Sequence, residues 1–598
     1  MTGVCGPDTS LLPAPFAPDP AYVDLRILAT SDIHGWIGPW DYHAAQPTGA
    51  GGLARIATLI GQARSAHPNV VLFDNGDFLQ GTPLTDPVPG RGGHPAVRAM
   101  NHLRYDAVTL GNHEFNFGLD AMRAAIAGAD FPVVSANIAT PEGEAIVPHW
   151  TVLARQVTDG AGRARQLRIG VIGLLPTQVM IWDRALLDGR MRADDLVATL
   201  RRHMPALRAA CDLVVVLAHA GIGAPDACGM SEDAATALAA VEGVDAVVAG
   251  HSHLVFPSPA FAGMAGVDVA QGTLQGVPSV MPGSCGSHLG VIDLRLSADL
   301  RVVAHQSTAV EVRGHVPCPA LTAVIDADHR ATRAAMDRVI GHSAHPLNSF
   351  FSVIAPSPIN ALIARASAAH VARRIGGEVP VLGVGQIFRA GGRGGPGFFT
   401  DIPAGPVLMR HIADLYSFPN AIAALRVTGS ELKGWLERAV SVFAQVRAGG
   451  ADQPLLNPDC PLYNFDIVHG VTFGVDLSRA PGGGDRIVDL RHDGRPVAPD
   501  APFVLATNSY RAGGAGGFAP RPPFWTDGAM MRDVVADHIA RHGVPPAEAD
   551  WRFLPMPGAS VVFPTSPKAD AHRHEVPGLA LTSLGLDADG FLAMRLSL

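Results

Sequence analysis

Lysine is almost absent from this chain: of 45 basic residues only Lys433 and Lys568 are lysines, and the formal net charge is −9. No block of basic residues stands out, and a protein that grips long nucleic acid through its phosphates needs such a surface. Long nucleic acid is therefore not an expected partner. A small anionic substrate needs only local positive charge, which cations and a few arginines can supply through planar contacts. Cysteine is sparse as well. Cys5, Cys211, Cys228, Cys285, Cys318 and Cys460 include no C-x-x-C pair. A Cys211–Cys228 bridge and the redox compartment both stay open. No apolar run reaches roughly 20 residues, so no transmembrane helix is expected. The start, MTGVCGPDTSLLPAPFAPDP, lacks a basic leader and a sustained apolar stretch and does not read as a secretory signal.

What is present is a long chain with many loops. Its 598 residues, 47% of them hydrophobic, suit two or three domains. The 66 glycines and 49 prolines are spread between apolar segments, which fits a loop-rich globular enzyme rather than a disordered chain.

From Leu25 a plan repeats. LRILAT, NVVLFDNGD, YDAVTLGNHE, FPVVSANI, LRIGVIGLL, CDLVVVLAHAG and VDAVVAGHSH are short β-rich runs. Several end in polar residues, and stretches of helical spacing such as GGLARIATLIGQAR and HPAVRAMNHL lie between some of them. Runs buried on both faces imply a central sheet covered by helices. Ligand sites in such α/β folds lie beyond the strand C-termini. SHLGVIDLRL reads as closing β-structure, and LTAVIDADHRATRAAMDRVIG as a helical connector. A second unit follows. INALIARASAAHVARR and ELKGWLERAVSVFAQV read as helices, HGVTFGVDL and FVLATNSY as strands, and the final FLAMRLSL as one added strand.

The residues at the strand ends carry the chemistry. Asp32 and His34 stand in SDIHG, Asp77 in NGD, Asn112 and His113 in GNHE, His219 in LAHAG, and His251 and His253 in GHSH. A sheet would gather them along one edge. Two cations close together need a shared anion, which a carboxylate such as Asp77 provides. Asp32 adds negative charge, neutral imidazoles complete the shells, and the Asn112 amide is a weak neutral ligand. Such a pair lowers the pKa of a water and neutralises phosphate oxygens. His113, beside Asn112, is placed to protonate a departing oxygen or to stabilise charge on it. Glu114 is a candidate to fix an imidazole ring.

These motifs resemble those of the calcineurin-like metallophosphoesterases. FRAGGRGGPG, ADLYSFPN, VTGSELKGWLE, YNFDIVHGVTF and ATNSYRAGGAGGF resemble the substrate-binding domain of 5'-nucleotidases. HPAVRAMN, GSHLGVIDL and NSYRAGG point further, to the bacterial bifunctional 2',3'-cyclic-nucleotide 2'-phosphodiesterase/3'-nucleotidases. The resemblance covers about residues 26–556. It implies an α/β protein with a four-layer α/β/β/α metallophosphoesterase domain and a 5'-nucleotidase-type C-terminal α/β domain. The expected boundaries are an N-terminal extension at 1–24, the metallophosphoesterase domain at 25–318 and a helical linker at 319–348. The substrate-binding domain spans 349–556 and a C-terminal extension 557–598.

The resemblance also implies roles. Asp32, His34, Asp77 and His253 would hold one divalent ion, and Asp77, Asn112, His219 and His251 the other. The ions would be Mn, Zn, Co or Fe, and His113 would be catalytic. Relatives that are simple 5'-nucleotidases read NHEFD where this chain has Asn116. The second domain would clamp a nucleotide base between two rings, with Tyr510 as one and Tyr463 or Phe465 as the other. Arg389 and Arg393, in a glycine-rich run, are candidates to hold phosphate oxygens, with Arg410 a further one. The family habit implies export to the periplasm. The expected reaction opens 2',3'-cyclic nucleotides to 3'-nucleotides and then releases phosphate. The alternatives are a 5'-nucleotidase or UDP-sugar hydrolase, a thiosulfohydrolase-like sulfur-oxidation protein, and a non-catalytic nucleotide-binding protein. Asn116 argues against the first, the paired aromatics against the second, and the complete ligand set against the third. Oligomeric state has no signature in the sequence.

Overall fold

The strand Leu213–Ala218 turns alternate side chains into two different cores. The computed structural model describes residues 12–86, 92–227 and 231–598, the Arg393 side chain excepted. It divides into two compact units, Met1–Ala334 and Ala335–Leu598.

In the first unit two sheets lie face to face, where the sequence pattern alone suggested a single central one. One sheet runs Val302–Glu311, His288–Leu296, Val23–Thr30, Val70–Asp74, Ala107–Thr109 and Val133–Val134. Its last four strands are parallel, and His288–Leu296 pairs antiparallel to Val23–Thr30 as the closing strand. The second sheet has Ala164–Leu174, Leu213–Ala218, Ala246–Ala249 and Val277–Pro282 as its parallel centre. Ile27, Val71 and Phe73 from the first sheet pack with Val171, Val215 and Val248 from the second. The opposite face of the second sheet, with Val214 and Val216, meets Leu200 and Leu207 of helix Leu196–Ala210. Helix Leu53–Ala66 buries Leu53, Ile56, Leu59 and Ile60 and lies against strand His288–Leu296. The result is a four-layer α/β/β/α arrangement. Strands with both faces covered carry unbroken apolar runs, which is why LVVVLA shows no polar alternation.

Helix Pro319–Val324 packs on helices Leu53–Ala66 and Pro95–Leu103, so the first part of the expected linker is built into this unit. Its end is not helical: Val339–Ser343 is a strand paired with Gly405–Leu408 in the second unit.

The second unit centres on a sheet of order Ile422–Thr428, Pro502–Asn508, Val381–Gly385 and Ile467–His469. Helix Pro358–Ile375, capped by Ser357, packs across it. Helix Gly429–Ala439 opens with a Thr428–Glu431 capping box. It gives way to a 3-10 turn at Val440–Val442, so SVFAQV does not extend it as the spacing suggested. The tail contributes three strands, Ser560–Thr565, Leu581–Leu586 and Leu592–Ser597. Phe563, Met594 and Leu596 join the same core as Leu382, Val384 and Phe443. Among the described residues no helix is long and apolar enough to cross a membrane.

Candidate metal centre

Asp32 and His34 follow strand Val23–Thr30, Asp77 follows Val70–Asp74, and Asn112 follows Ala107–Thr109. His219 comes after Leu213–Ala218, and His251 and His253 after Ala246–Ala249. The structure therefore brings the seven predicted ligands together from the C-terminal edges of both sheets. Five of them, Asp32, His34, Asp77, His251 and His253, have positive φ, between 47° and 66°. This left-handed backbone is uncommon for side chains other than glycine and costs about 1–3 kcal/mol each. Such strain persists only where the surroundings impose it, and here it turns each side chain back toward one point.

The distances are those of converging ligands. His34 Nε2 lies 3.0 Å from His253 Nε2, and His253 Nε2 lies 3.5 Å from Asp32 Oδ1. His219 Nε2 is 3.0 Å from Asp77 Oδ2, and His251 Nδ1 is 3.0 Å from Asn112 Oδ1. Asp77 Oδ2 is also 3.8 Å from His34 Nε2, so this carboxylate faces both groups. Two ring orientations are fixed from behind. Nδ1 of His219 meets the Asn75 carbonyl at 2.7 Å, and Nδ1 of His34 meets the Gln80 carbonyl at 3.0 Å. A carbonyl only accepts, so each Nδ1 carries a proton and each Nε2 is the nitrogen that faces inward.

This is a donor set that fits divalent cations. Nε2 of His219 is fully buried and makes no hydrogen bond of acceptable geometry. Burial disfavours charge on His219, yet Asp77 and Asp32 pull its pKa up to about 10. That demand for positive charge is met at the centre by no lysine or arginine among the described residues. Burial and the neighbouring His253 push His34 down to about 3, keeping its imidazole neutral.

A hydrogen-bonded shell surrounds the candidate ligands. Glu114, expected to steady an imidazole, instead accepts four backbone N–H groups. Oε2 takes those of Asp77 at 2.8 Å and Gly111 at 2.6 Å, and Oε1 takes those of Phe78 at 2.8 Å and Leu79 at 2.9 Å. Burial and the nearby Asp77 push the Glu114 carboxyl up, and the backbone donors oppose them. Gly111 and Gly250, which precede the ligands of GNHE and GHSH, leave room for carboxylates. A Cβ on Gly111 would stand 2.2 Å from Asp77 Oδ1, and one on Gly250 would stand 2.8 Å from Asp32 Oδ2.

His113 opens the 3-10 turn His113–Phe115, and its ring packs edge-on to His34 at 5.0 Å. Its Nδ1 lies 2.6 Å from Asn116 Oδ1. Sequence reasoning missed the segment that follows strand Ala164–Leu174. Trp182 stacks on His251 at 5.5 Å, and Asp183 lies against the Asn116 amide. Burial raises the Asp183 carboxyl to about 7, against the pull of His113 and that amide.

The sequence of residues 25–255 matches the calcineurin-like phosphoesterase family, and that of 339–521 the 5'-nucleotidase C-terminal domain. A 2',3'-cyclic-nucleotide 2'-phosphodiesterase/3'-nucleotidase from Yersinia enterocolitica is 35% identical over 97% of this chain and 96% of its own. The chain belongs to that family. The trifunctional nucleotide phosphoesterase of Bacillus subtilis is 35% identical over 91% of this chain, which spans only 40% of that longer protein. The solved structure of a 5'-nucleotidase precursor from Thermus thermophilus shares the fold, with a TM-score of 0.60 at 22% identity over 89% of this chain and 99% of its own.

Within this phosphodiesterase/3'-nucleotidase chain, the candidate substrate residues of the second unit fall into different settings. Tyr510 sits half-buried in the short helix Ser509–Ala512, under the Arg511 guanidinium. Tyr463 is 38% exposed in the turn Leu462–Asn464. Phe465 is 0% exposed and packs edge-on to Phe443 and Trp551, so the reading of it as a base-stacking ring is corrected to core. Phe418, in the ADLYSFPN segment and not singled out from sequence, is 38% exposed and lies against Phe388. The backbone brings it near Tyr510: the N–H of Ser509 bonds the Ala421 carbonyl at 2.8 Å, and Ile422 pairs with Asn508. Arg389 pairs with Asp414 at 3.0 Å and covers the Phe398 ring. Arg410 pairs with Asp337. The Arg393 side chain lies outside the described residues, as do Cys5 and Cys228. Cys211 is buried and directs its thiol to the Leu207 carbonyl.

Proposed function

We propose that this chain opens 2',3'-cyclic nucleotides to 3'-nucleotides and then hydrolyses these to nucleoside and phosphate at one dinuclear centre. The observation that carries the reading is identity at 35% along almost the whole length of a relative bearing that name, supported by His and Asp groups here that could hold metal ions. Asp32, His34, Asp77 and His253 would hold one cation; Asp77, Asn112, His219 and His251 would hold the other, with Asp77 shared. Their donors suit Mn, Zn, Co or Fe. When bound, such ions supply Lewis-acid charge neutralisation and an acidified water.

The chain's own groups do the rest. His113 keeps its Nδ1 proton on Asn116 and leaves Nε2 to serve the departing oxygen. As the bond from phosphorus to that oxygen breaks, the oxygen takes the electron pair and the Nε2 proton. Water supplies the new oxygen on phosphorus, and the proton it sheds restores the imidazolium. Different oxygens leave in the two reactions, so the substrate turns or rebinds between them. Tyr510 and Phe418 supply stacking faces for the base, which suits purines and pyrimidines alike. Periplasmic location, the family habit, belongs to the same reading and is checked by fractionating cells.

Steady-state assays with 2',3'-cyclic AMP, 3'-AMP and 5'-AMP test the function. Turnover of the first two is expected, and a strong preference for 5'-AMP would reject it.

A further inference from the structure

Asn116 can lie with either end of its amide toward His113, and the two orientations have opposite consequences. With Oδ1 toward the ring, His113 Nδ1 carries a proton and Nε2 faces the reaction. With Nδ2 toward the ring, Nδ1 must accept, and an imidazolium is disfavoured. Nothing within His113–Asn116 itself chooses between them.

Asp183 makes that choice. The Asn116 Nδ2 lies 3.2 Å from Asp183 Oδ1 and 3.1 Å from Asp183 Oδ2, while Oδ1 faces His113 Nδ1 at 2.6 Å. Both Asp183 oxygens face the Asn116 NH2 group, and in its ionised form a carboxylate only accepts hydrogen bonds, so it holds the NH2 end toward itself and the carbonyl end toward the histidine. Asp183 stands at the start of the short helix Arg184–Leu187, where an aspartate commonly caps the backbone. Its side chain makes no capping hydrogen bond there. The carboxylate is turned toward Asn116 instead. Its neighbour Trp182 stacks on His251, which anchors the segment beside the metal centre.

We propose that Asp183 is a positioning residue for phosphate-ester cleavage, orienting His113 through the Asn116 amide so that Nε2 presents its proton to the leaving oxygen. The arrangement places one neutral amide between the imidazole and its carboxylate. Asn116 and Asp183 are 67 residues apart in sequence, so the partner of His113 is supplied by a different strand–loop segment. The inference rests on the role given to His113 above.

The test separates proton donation from folding through the leaving group. Phenolate is a poor leaving group and needs the proton; p-nitrophenolate leaves readily without it. Both esters are free of any nucleotide specificity. With metal-loaded enzyme, Asp183→Asn should lower kcat on phenyl phosphate about 10-fold with KM unchanged, in the range for losing a supporting partner. The loss on p-nitrophenyl phosphate should be several-fold smaller, and metal content should match the wild type. The swapped pair, Asn116→Asp with Asp183→Asn, restores a carboxylate–amide couple and should recover most of the lost rate on phenyl phosphate. Equal losses on the two esters, or no loss on either, would overturn the inference. So would a swapped pair no better than Asp183→Asn alone. His113→Ala is run alongside. If its own loss is the same on both esters, the role of His113 as proton donor fails and the inference with it. If that loss depends on the leaving group while Asp183→Asn has no such effect, only the role of Asp183 fails.

Discussion

Glu114 Oε2 accepts the backbone N–H of Asp77 at 2.8 Å, so the residue two places after the candidate ligand Asn112 holds the loop that carries the candidate ligand Asp77. With the bonds to Gly111, Phe78 and Leu79, one carboxylate joins loops from two neighbouring strands. Glu114→Gln replaces one acceptor by an NH2 group that meets two donors. Each buried group left unpaired costs about 1–3 kcal/mol. The variant should bind metal about 10–100-fold more weakly and unfold earlier. Calorimetric metal titration and denaturant unfolding measure both.

Gly111→Ala should remove the centre while keeping the fold. The added methyl would stand 2.2 Å from Asp77 Oδ1 and 2.7 Å from His219 Cε1, and both side chains are buried. The expected result is substoichiometric metal by elemental analysis, loss of phosphate release, and a circular dichroism spectrum like that of the wild type.

His113→Ala should retain metal and lose rate. General acid assistance contributes about 10²–10⁴-fold, and the loss should fall on kcat for 3'-AMP. Metal content equal to the wild type, measured on the same preparation, separates this from a damaged ligand shell.

Phe418→Ala and Tyr510→Ala should raise KM for nucleotides, each by the equivalent of about 1–3 kcal/mol. Turnover of p-nitrophenyl phosphate, which has no base, should change little. Phe465→Leu should instead lower stability, because that ring is buried among Phe443 and Trp551. A nucleotide-specific KM effect at Phe465 and none at Phe418 would reverse these assignments.

Acid should weaken the second unit through His538 and His411. Burial and the nearby His542 push His538 down to about 4; burial and Arg410 do the same to His411. Both lie below the ordinary value of 6.5, so between those limits the unfolded chain binds more protons than the folded one. Stability should therefore fall as pH drops from about 6.5 to about 4 and level off below. Unfolding midpoints across that range should show the slope, and His538→Leu should flatten it.

The ligand-bearing motifs were legible because each is local. An apolar run closed by Asp-x-His, Asn-His or His-x-His announces both a strand and what stands at its end. The α/β character was legible for the same reason. The supporting groups were not. Asp183 has no motif around it, and its meeting with Asn116 depends on where the segment after Ala164–Leu174 is laid down. Phe418 and Phe465 have similar surroundings in the sequence, each between polar or proline-rich neighbours, yet one is 38% exposed and the other fully buried.

The sequence by itself determined which residue types stand at the strand ends, and therefore the chemistry available, because strand periodicity and metal-binding side chains are properties of short segments. Tertiary structure alone decided that Glu114 binds backbone rather than a ring, and that Asp183 faces Asn116. Those outcomes depend on packing between segments tens to hundreds of residues apart, where burial rewards an aromatic or a carboxylate only after its neighbours have been brought into place.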